Sequence, residues 1–332
     1  PNPENHRAMT LCRSCGRRDA ESVHAWRWPP LSVRPCKIIG ATMDIGGSEI
    51  KPDTAGFDGR AGDRVRRLLE QGAVVVLTGA GLSTSSGIPA YRDREGNWQG
   101  AQPVRQHDFL HLESARRRYW ARSFFGWPSV AGAAPGRGHH ALARLEQAGR
   151  IDLVVTQNVD GLHRKAGSAG VVELHGGLAA VICLSCRTRH PRAAVQDWLA
   201  AANPGLAGQP APVAPDGDAR VAAELYAGFR VPACPACGGM LKPDVVFFGD
   251  SVPRERVASV MASISAAAAL LVVGSSLMVY SGFRFVEFAR REGKPVMAVN
   301  LGTTRADHLF DAKVEQDCDA FLGGLHTNRD SH

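Results

Sequence analysis

Residues 152–176 read DLVVTQNVDGLHRKAGSAGVVELHG, and two short apolar runs within them set the frame. Residues 152–155 are an unbroken apolar stretch after one aspartate, the composition of a strand buried on both faces of a parallel sheet. Gln157, Asn158 and Asp160 follow at its carboxyl end, the edge where open α/β sheets bind ligands. A second run, 171–174, delivers His175 with Gly176 and Gly177 behind it, which leaves room for something to approach the backbone. An amide, a carboxylate and an imidazole thus converge on one edge. Taken singly, an Asn is a turn former and a His is a core hydrogen-bonder; only their company makes them a candidate site. His163, past the strand end on the next helical stretch, reads as structural.

Working outward, residues 73–77 form another continuous β-branched run, and Gly79, Ala80 and Gly81 follow it directly. Glycines at a strand exit let the backbone approach a phosphate, the next helix supplies unpaired N–H groups, and Ser83, Thr84, Ser85 and Ser86 add hydroxyls. The natural ligand is a dinucleotide. Gly87 comes too late for the G-x-G-x-x-G fingerprint, and no acidic residue closes the unit about twenty positions on, which disfavours a hydride-transfer dehydrogenase. Strand-like runs recur at 245–248, 270–273 and 296–299, with helical stretches at 60–72, 113–125, 139–147 and 253–267. The expected fold is α/β, a Rossmann-like doubly wound parallel sheet with an inserted small zinc-binding domain, to which the resemblance described below adds a helical subdomain.

The zinc expectation comes from spacing. Cys183 and Cys186 form one C-x2-C pair, and Cys234 and Cys237 form another about fifty residues later. Two such pairs place four thiolates tetrahedrally around one Zn2+, closing the shell to water, so the ion is structural. The Pro, Gly and Ala between them have no core of their own, which leaves the metal to supply the fold. The pair Cys12 and Cys15, with His24 or Cys36, fits no usual site.

The chain has 332 residues, 44% of them hydrophobic, and a formal charge of +7. Residues before Met43 carry seven Lys/Arg and three acids, hence +4 of that total. The remainder is only mildly basic, so no nucleic-acid partner is expected. No apolar run reaches the eighteen or more residues of a membrane helix. Residues 1–45 show neither helical nor strand periodicity and read as a disordered or non-native N-terminal extension. Abundant Ala and Arg with little Lys suggest a bacterial, cytoplasmic protein, with an organellar matrix the alternative if that extension is a leader.

Seven motifs occur in order: GAGLSTSSGIPAYR, TQNVDGLH, ELHG, the two C-x2-C pairs, KPDVVFFGD, VVGSSL and VNLG. Together they resemble the sirtuins, NAD-dependent protein-lysine deacylases, over residues 62–325. RRYWARSFFGWP, APDGD and VYSGFRF are similar to the class II branch, which includes a mitochondrial member. The resemblance implies a catalytic domain of residues 55–180 and 241–326, a mobile cofactor loop and helical subdomain at 90–150, and a zinc module at 181–240. It implies NAD+ as co-substrate, with Gly79, Ala80, Gly81, Ser83, Gly274, Ser275 and Ser276 near the phosphates, and Tyr91 and Arg92 over the nicotinamide ribose. Gln157 and Asn158 would hold that ribose and an ordered water, and Asp160 the carboxamide. Asn300, with Leu301 and Gly302, would serve the adenosine ribose, and Cys318 the adenine.

The same resemblance makes His175 the general base that acts on a ribose hydroxyl after the acyl oxygen has displaced nicotinamide. Free lysine and O-acyl-ADP-ribose are the products. A substrate peptide would add as a strand beside Val246, Phe247 and Gly249, on an enzyme expected to be a monomer. The acyl preference is open. Tyr119 and Arg122 have the spacing of the desuccinylating branch's acid clamp, but the residues around them do not match it. Mono-ADP-ribosylation from the same site is the alternative activity, and a zinc-supported binding module without catalysis is a third reading. That third reading draws on Ala90, which stands where the family usually has Asp.

Overall fold

β1 (Val74–Thr78) carries no polar side chain before its last residue and is buried throughout. Such a strand is stable only with a layer on each face, and both layers are present. Val74 and Val76 pack toward α1 (Thr54–Gln71) and α4 (Arg137–Gln147), while Val75 and Leu77 pack toward α7 (Arg254–Ala266) and α8 (Tyr280–Arg291). Burying one such side chain contributes about 1.5–3 kcal/mol, so β1 anchors the sheet.

The computed structural model describes residues 54–99, 103–206 and 227–325. The expected N-terminal extension, Cys12, Cys15, Cys36 and the APDGD stretch lie outside the described residues. The sheet has six parallel strands in the order β3-β2-β1-β7-β8-β9. β2 is Ile151–Thr156, β3 Val171–Glu173, β7 Ala269–Val273, β8 Val296–Val299 and β9 Ala312–Val314. From β1 the chain steps outward to β2 and β3, then returns to β7 on the other side. The crossover between β1 and β7 is the switch point at which such sheets bind ligands.

One strand assignment needs correction. The run at 245–248 is not in the parallel sheet. Instead β6 (Leu241–Val245) pairs antiparallel with β4 (Gly176–Cys183), which also pairs with β5 (Arg189–Pro191) in a separate three-stranded sheet. The sixth parallel strand is β9, three residues with a lysine at the centre, too short and too polar to carry an apolar signal. The small sheet therefore reaches past 181–240 on both flanks, to Gly176 and Val245. The glycine at 176 makes room for protein backbone. It sits at φ +78°, and a Cβ there would meet the Asp244 carbonyl oxygen.

α3 (Glu113–Gly132) runs seven residues beyond the expected 113–125, through Pro128. Proline leaves a helical carbonyl four residues back without its donor. That carbonyl, Phe124, accepts the Gln196 side-chain amide at 2.9 Å, and Ser123 O next to it accepts Arg192 Nη2 at 3.1 Å. Both donors belong to α6 (Arg192–Ala202), which packs on the small sheet. α3 and that sheet share one apolar cluster, in which Tyr119, Trp120 and Phe124 meet Val181, Leu199, Phe229 and Leu241. The zinc lobe thus has a core after all, borrowed from the helical subdomain that also includes α2 (Gln106–His111).

Candidate active site

The loops leaving β1 and β7 are pressed together at the switch point. Gly81 N donates to Gly274 O at 2.8 Å, and a Cβ on Gly79 would lie 2.7 Å from the Ser275 Cβ. These glycines therefore admit neighbouring backbone as well as any ligand. The helix expected after β1 is a 3-10 helix, Ala80–Ser86, and Gly87 ends it at φ +82°. The late third glycine is this stop.

Ser83 organises the next layer. Asn158 Nδ2 donates to Ser83 Oγ at 3.0 Å and to Gly79 O at 3.0 Å, while Ser83 Oγ donates to Asp160 Oδ2 at 2.8 Å. The other Asp160 oxygen accepts Leu162 N at 2.9 Å, opening the short helix α5 (Leu162–Lys165). Gln157 turns toward the sheet. Its amide donates to Ser275 Oγ at 2.7 Å, and its backbone carbonyl lies 2.8 Å from His175 Nδ1.

A carbonyl oxygen can only accept, so Nδ1 carries the proton and Nε2 holds the lone pair. Nε2 lies 2.8 Å from Ser281 Oγ. Sequence reasoning does not single out this serine, although it stands inside the VYSGFRF motif. Burial pushes the His175 pKa below the ordinary imidazole value; Arg256 and Arg284 push the same way, and the Gln157 carbonyl opposes them. His163 is structural, as expected: it is buried and bonds Thr78 Oγ1 at 2.9 Å. Burial, with help from His139, pushes its pKa down to about 3.

These residues line a cavity of about 860 Å3, within the range of small-molecule sites. Gly79, Ala80, Gly81, Ser83, Tyr91, Arg92, Gln157, Asn158, Asp160, His175, Gly274, Ser275, Ser276, Asn300, Leu301 and Cys318 all reach it, as do Val246, Phe247 and Gly249 on the far wall. Gly302 does not; at φ +80° it packs against the backbone of Arg94. Tyr119 lines the cavity and Arg122 does not, so the two do not form a clamp there. Cys318 begins α9 (Cys318–Gly323), and burial pushes its thiol up to about 12, far from a reactive thiolate.

The rim at 91–99 is a small closed loop. Gln99 N donates to Tyr91 O at 2.9 Å, and Asn97 N donates to Asp93 Oδ1 at 2.7 Å. The Arg92 guanidinium lies 4.1 Å from the centre of the Trp98 ring. Trp98 and Tyr91 in turn meet Phe248 edge-on.

Away from the cavity, the sulfurs of Cys183, Cys186, Cys234 and Cys237 lie within 4.8 Å of one another. The Cys183–Cys237 and Cys186–Cys234 separations are 3.5 and 3.8 Å. A tetrahedral Zn2+ with Zn–S near 2.3 Å needs sulfurs about 3.8 Å apart, so the four fit. His190 Nε2 lies 3.5 Å from Cys234 Sγ, and its ring stacks edge-on with Trp198, an outer contact of the kind that orients a ligand.

The Sir2 family model matches residues 79–281. An NAD-dependent protein deacetylase of Xanthomonas campestris pv. campestris (strain 8004) is 56% identical over 250 residues, covering 75% of this chain and 85% of that protein. NAD-dependent protein deacetylase 2 of Bradyrhizobium diazoefficiens is 54% identical, with coverages of 75% and 92%. A solved structure described as Sir2 with a p53 peptide and NAD+ superposes with a TM-score of 0.62 at 29% identity, covering 78% of this chain and 94% of that one. The family match spans residues 79–281, which include the glycine-lined switch point, His175 and the four cysteines, and on these likenesses the chain belongs to the Sir2 family.

Proposed function

We infer that this protein is an NAD-dependent protein-lysine deacylase. The observation that carries the reading is His175, neutral and anchored on both ring nitrogens, in the wall of a cavity that joins the nucleotide-type strand exits to the 246–249 segment. The relatives named NAD-dependent protein deacetylase and the peptide-bound Sir2 structure support it.

NAD+ supplies the ribose that accepts the acyl group and the nicotinamide that leaves. The chain's part is to hold and deprotonate. Gly79, Ala80, Gly81, Gly274, Ser275 and Ser276 present backbone and hydroxyls to the phosphates. Asn158 and Asp160, fixed by Ser83, would hold the nicotinamide end. Asn300 and Leu301, which line the same cavity, would hold the adenosine ribose, and Cys318 the adenine. His175 Nε2 takes the proton of a ribose hydroxyl, freeing that oxygen's electron pair to attack the acyl carbon. The four cysteines hold one structural Zn2+.

Val104, Val130, Leu178 and Phe247 give the cavity apolar walls, which suits acetyl or longer uncharged acyl chains. The class II placement rests on RRYWARSFFGWP and VYSGFRF. Action without nucleic acid fits the mildly basic body of the chain, and the Ala- and Arg-rich, Lys-poor composition fits a bacterial cytoplasmic protein. None of the described helices is long and apolar enough to cross a membrane.

The test is mass spectrometry of acyl-lysine peptides incubated with the protein and NAD+. Removal of one acyl class with matching O-acyl-ADP-ribose is expected. Release of nicotinamide while every peptide keeps its acyl group would refute the deacylase reading.

A further inference from the structure

Ser281 is the second residue of α8 and faces the cavity. Its hydroxyl lies 2.8 Å from His175 Nε2, on the opposite side of the ring from the Gln157 carbonyl at 2.8 Å from Nδ1. With Nδ1 protonated, Nε2 has only a lone pair, so Ser281 Oγ–H must be the donor. The lone pair that the reaction needs is thus already engaged before substrate arrives.

The surroundings are built to keep it so. Val279 caps α8, and Gly282 N donates to Val279 O at 3.2 Å, closing the turn that carries Ser281. At Gly282 any Cβ would come within 2.4 Å of Gln157 Oε1. A side chain at 282 would have to displace the side-chain amide of Gln157, the residue whose backbone carbonyl is the other anchor of His175. One residue thus holds the ring from one side and packs against the helix that holds it from the other.

We propose that Ser281 is a positioning residue for the reaction, fixing the His175 ring with Nε2 turned into the cavity until a ribose hydroxyl takes the place of the serine hydroxyl on that nitrogen. This rests on His175 being the base, as proposed above. When the exchange occurs, the ribose O–H bond breaks, its proton passes to Nε2, its electron pair forms the bond to the acyl carbon, and the π pair between that carbon and the lysine nitrogen moves onto the nitrogen. The serine hydroxyl gives up its bond to the lone pair and turns to the cavity. Without Ser281 the ring keeps a single anchor at Nδ1 and can rotate its lone pair away.

The two steps of the reaction separate this role from a structural one. Nicotinamide departs before the base acts, so incorporation of labelled nicotinamide into NAD+ in the presence of an acetyl-lysine peptide reports the first step alone. Acyl transfer to ribose reports the second. In the full chain, Ser281→Ala is expected to lower product formation about tenfold, the equivalent of one hydrogen bond of about 1.4 kcal/mol. Nicotinamide exchange should be unchanged, and Ser281→Thr should restore most of the loss. Equal loss of both steps in Ser281→Ala, an unchanged or faster product rate, or no rescue by threonine would each overturn the proposal. His175→Ala run beside them tests the underlying reading: if it still forms product, His175 is not the base. If it is silent while Ser281→Ala behaves as wild type, only the role of Ser281 fails.

Discussion

The parallel sheet and the cysteine lobe are held together by different means. β1 and β7 are buried along their whole length, each with apolar layers above and below. In the small sheet, β4 alternates between buried and partly exposed residues, and β5 has no fully buried residue at all. One region is stable because its central strands are apolar and buried; the other depends on four sulfurs far apart in sequence and on Tyr119, Trp120 and Phe124 lent by α3. The difference assigns precision to the first, where the site must be rigid, and metal dependence to the second.

Removing the metal should have the largest effect. Structural zinc contributes about 10–16 kcal/mol to small zinc domains at neutral pH. Cys234→Ser, or a strong chelator, is expected to abolish protection of β4, β5 and β6 in hydrogen exchange while β1 and β7 keep theirs. Uniform loss across both sheets would show that the regions are not separable. Trp120→Ala comes next. Trp120 is 1% exposed and lies in the cluster shared by α3 and the lobe, so a loss of about 3–5 kcal/mol is expected. Denaturant melts should show it lowering the lobe and the helical subdomain together; a change confined to either would dissolve the idea of a borrowed core.

Most of the parallel sheet is legible in the sequence because buried strands announce themselves as unbroken β-branched runs, and 296–299 matches β8 residue for residue. β9 is not, since an edge strand of three residues around Lys313 has nothing apolar to repeat. The strand at 245–248 is misplaced by sequence for a related reason. A run such as VVFF fits a buried parallel strand and a flank of a small antiparallel sheet equally well, and only the pairing with β4 decides. The site residues are legible through the motifs that carry them. Ser281 is not, because a serine in the first turn of a helix is ordinary until the ring it touches is known. Likewise, no local signal says that Gly302 packs on Arg94 instead of facing the cavity.

Acid should attack the sheet region and so invert the comparison. His163 is held at a pKa of about 3, whereas in the unfolded chain it returns to the ordinary 6.5. Between those values the unfolded chain binds a proton that the folded one refuses. The contribution of neutral His163 is therefore complete above pH 6.5 and is lost as pH falls below it, at up to about 1.4 kcal/mol per pH unit. His163→Gln keeps a partner for Thr78 and should flatten this slope in melts from pH 7 to pH 4; an unchanged slope would place the acid sensitivity elsewhere. The same burial moves His175 downward, so the acid limb of kcat/KM should lie below pH 6.5.

The smallest effect is expected at Ala90, where the resemblance to the sirtuins leads to the expectation of a carboxylate. If that carboxylate were what orders the rim, Ala90→Asp should raise turnover sharply. The rim here is ordered by other means. Asp93 accepts Asn97 N at 2.7 Å and Asn97 Nδ2 at 3.2 Å, and Arg92 donates to Gly96 O at 2.6 Å while covering Trp98. A carboxylate added at 90 enters a loop whose turn is already closed, so its effect should stay within about 0.5 kcal/mol, roughly a twofold change in KM for NAD+. Asp93→Ala removes both bonds to Asn97 and should raise that KM more than Ala90→Asp lowers it. The reverse ranking would mean that the Asp93 turn does not order the cofactor loop, and that the rim, unlike the strand exits beneath it, depends on a carboxylate this chain lacks.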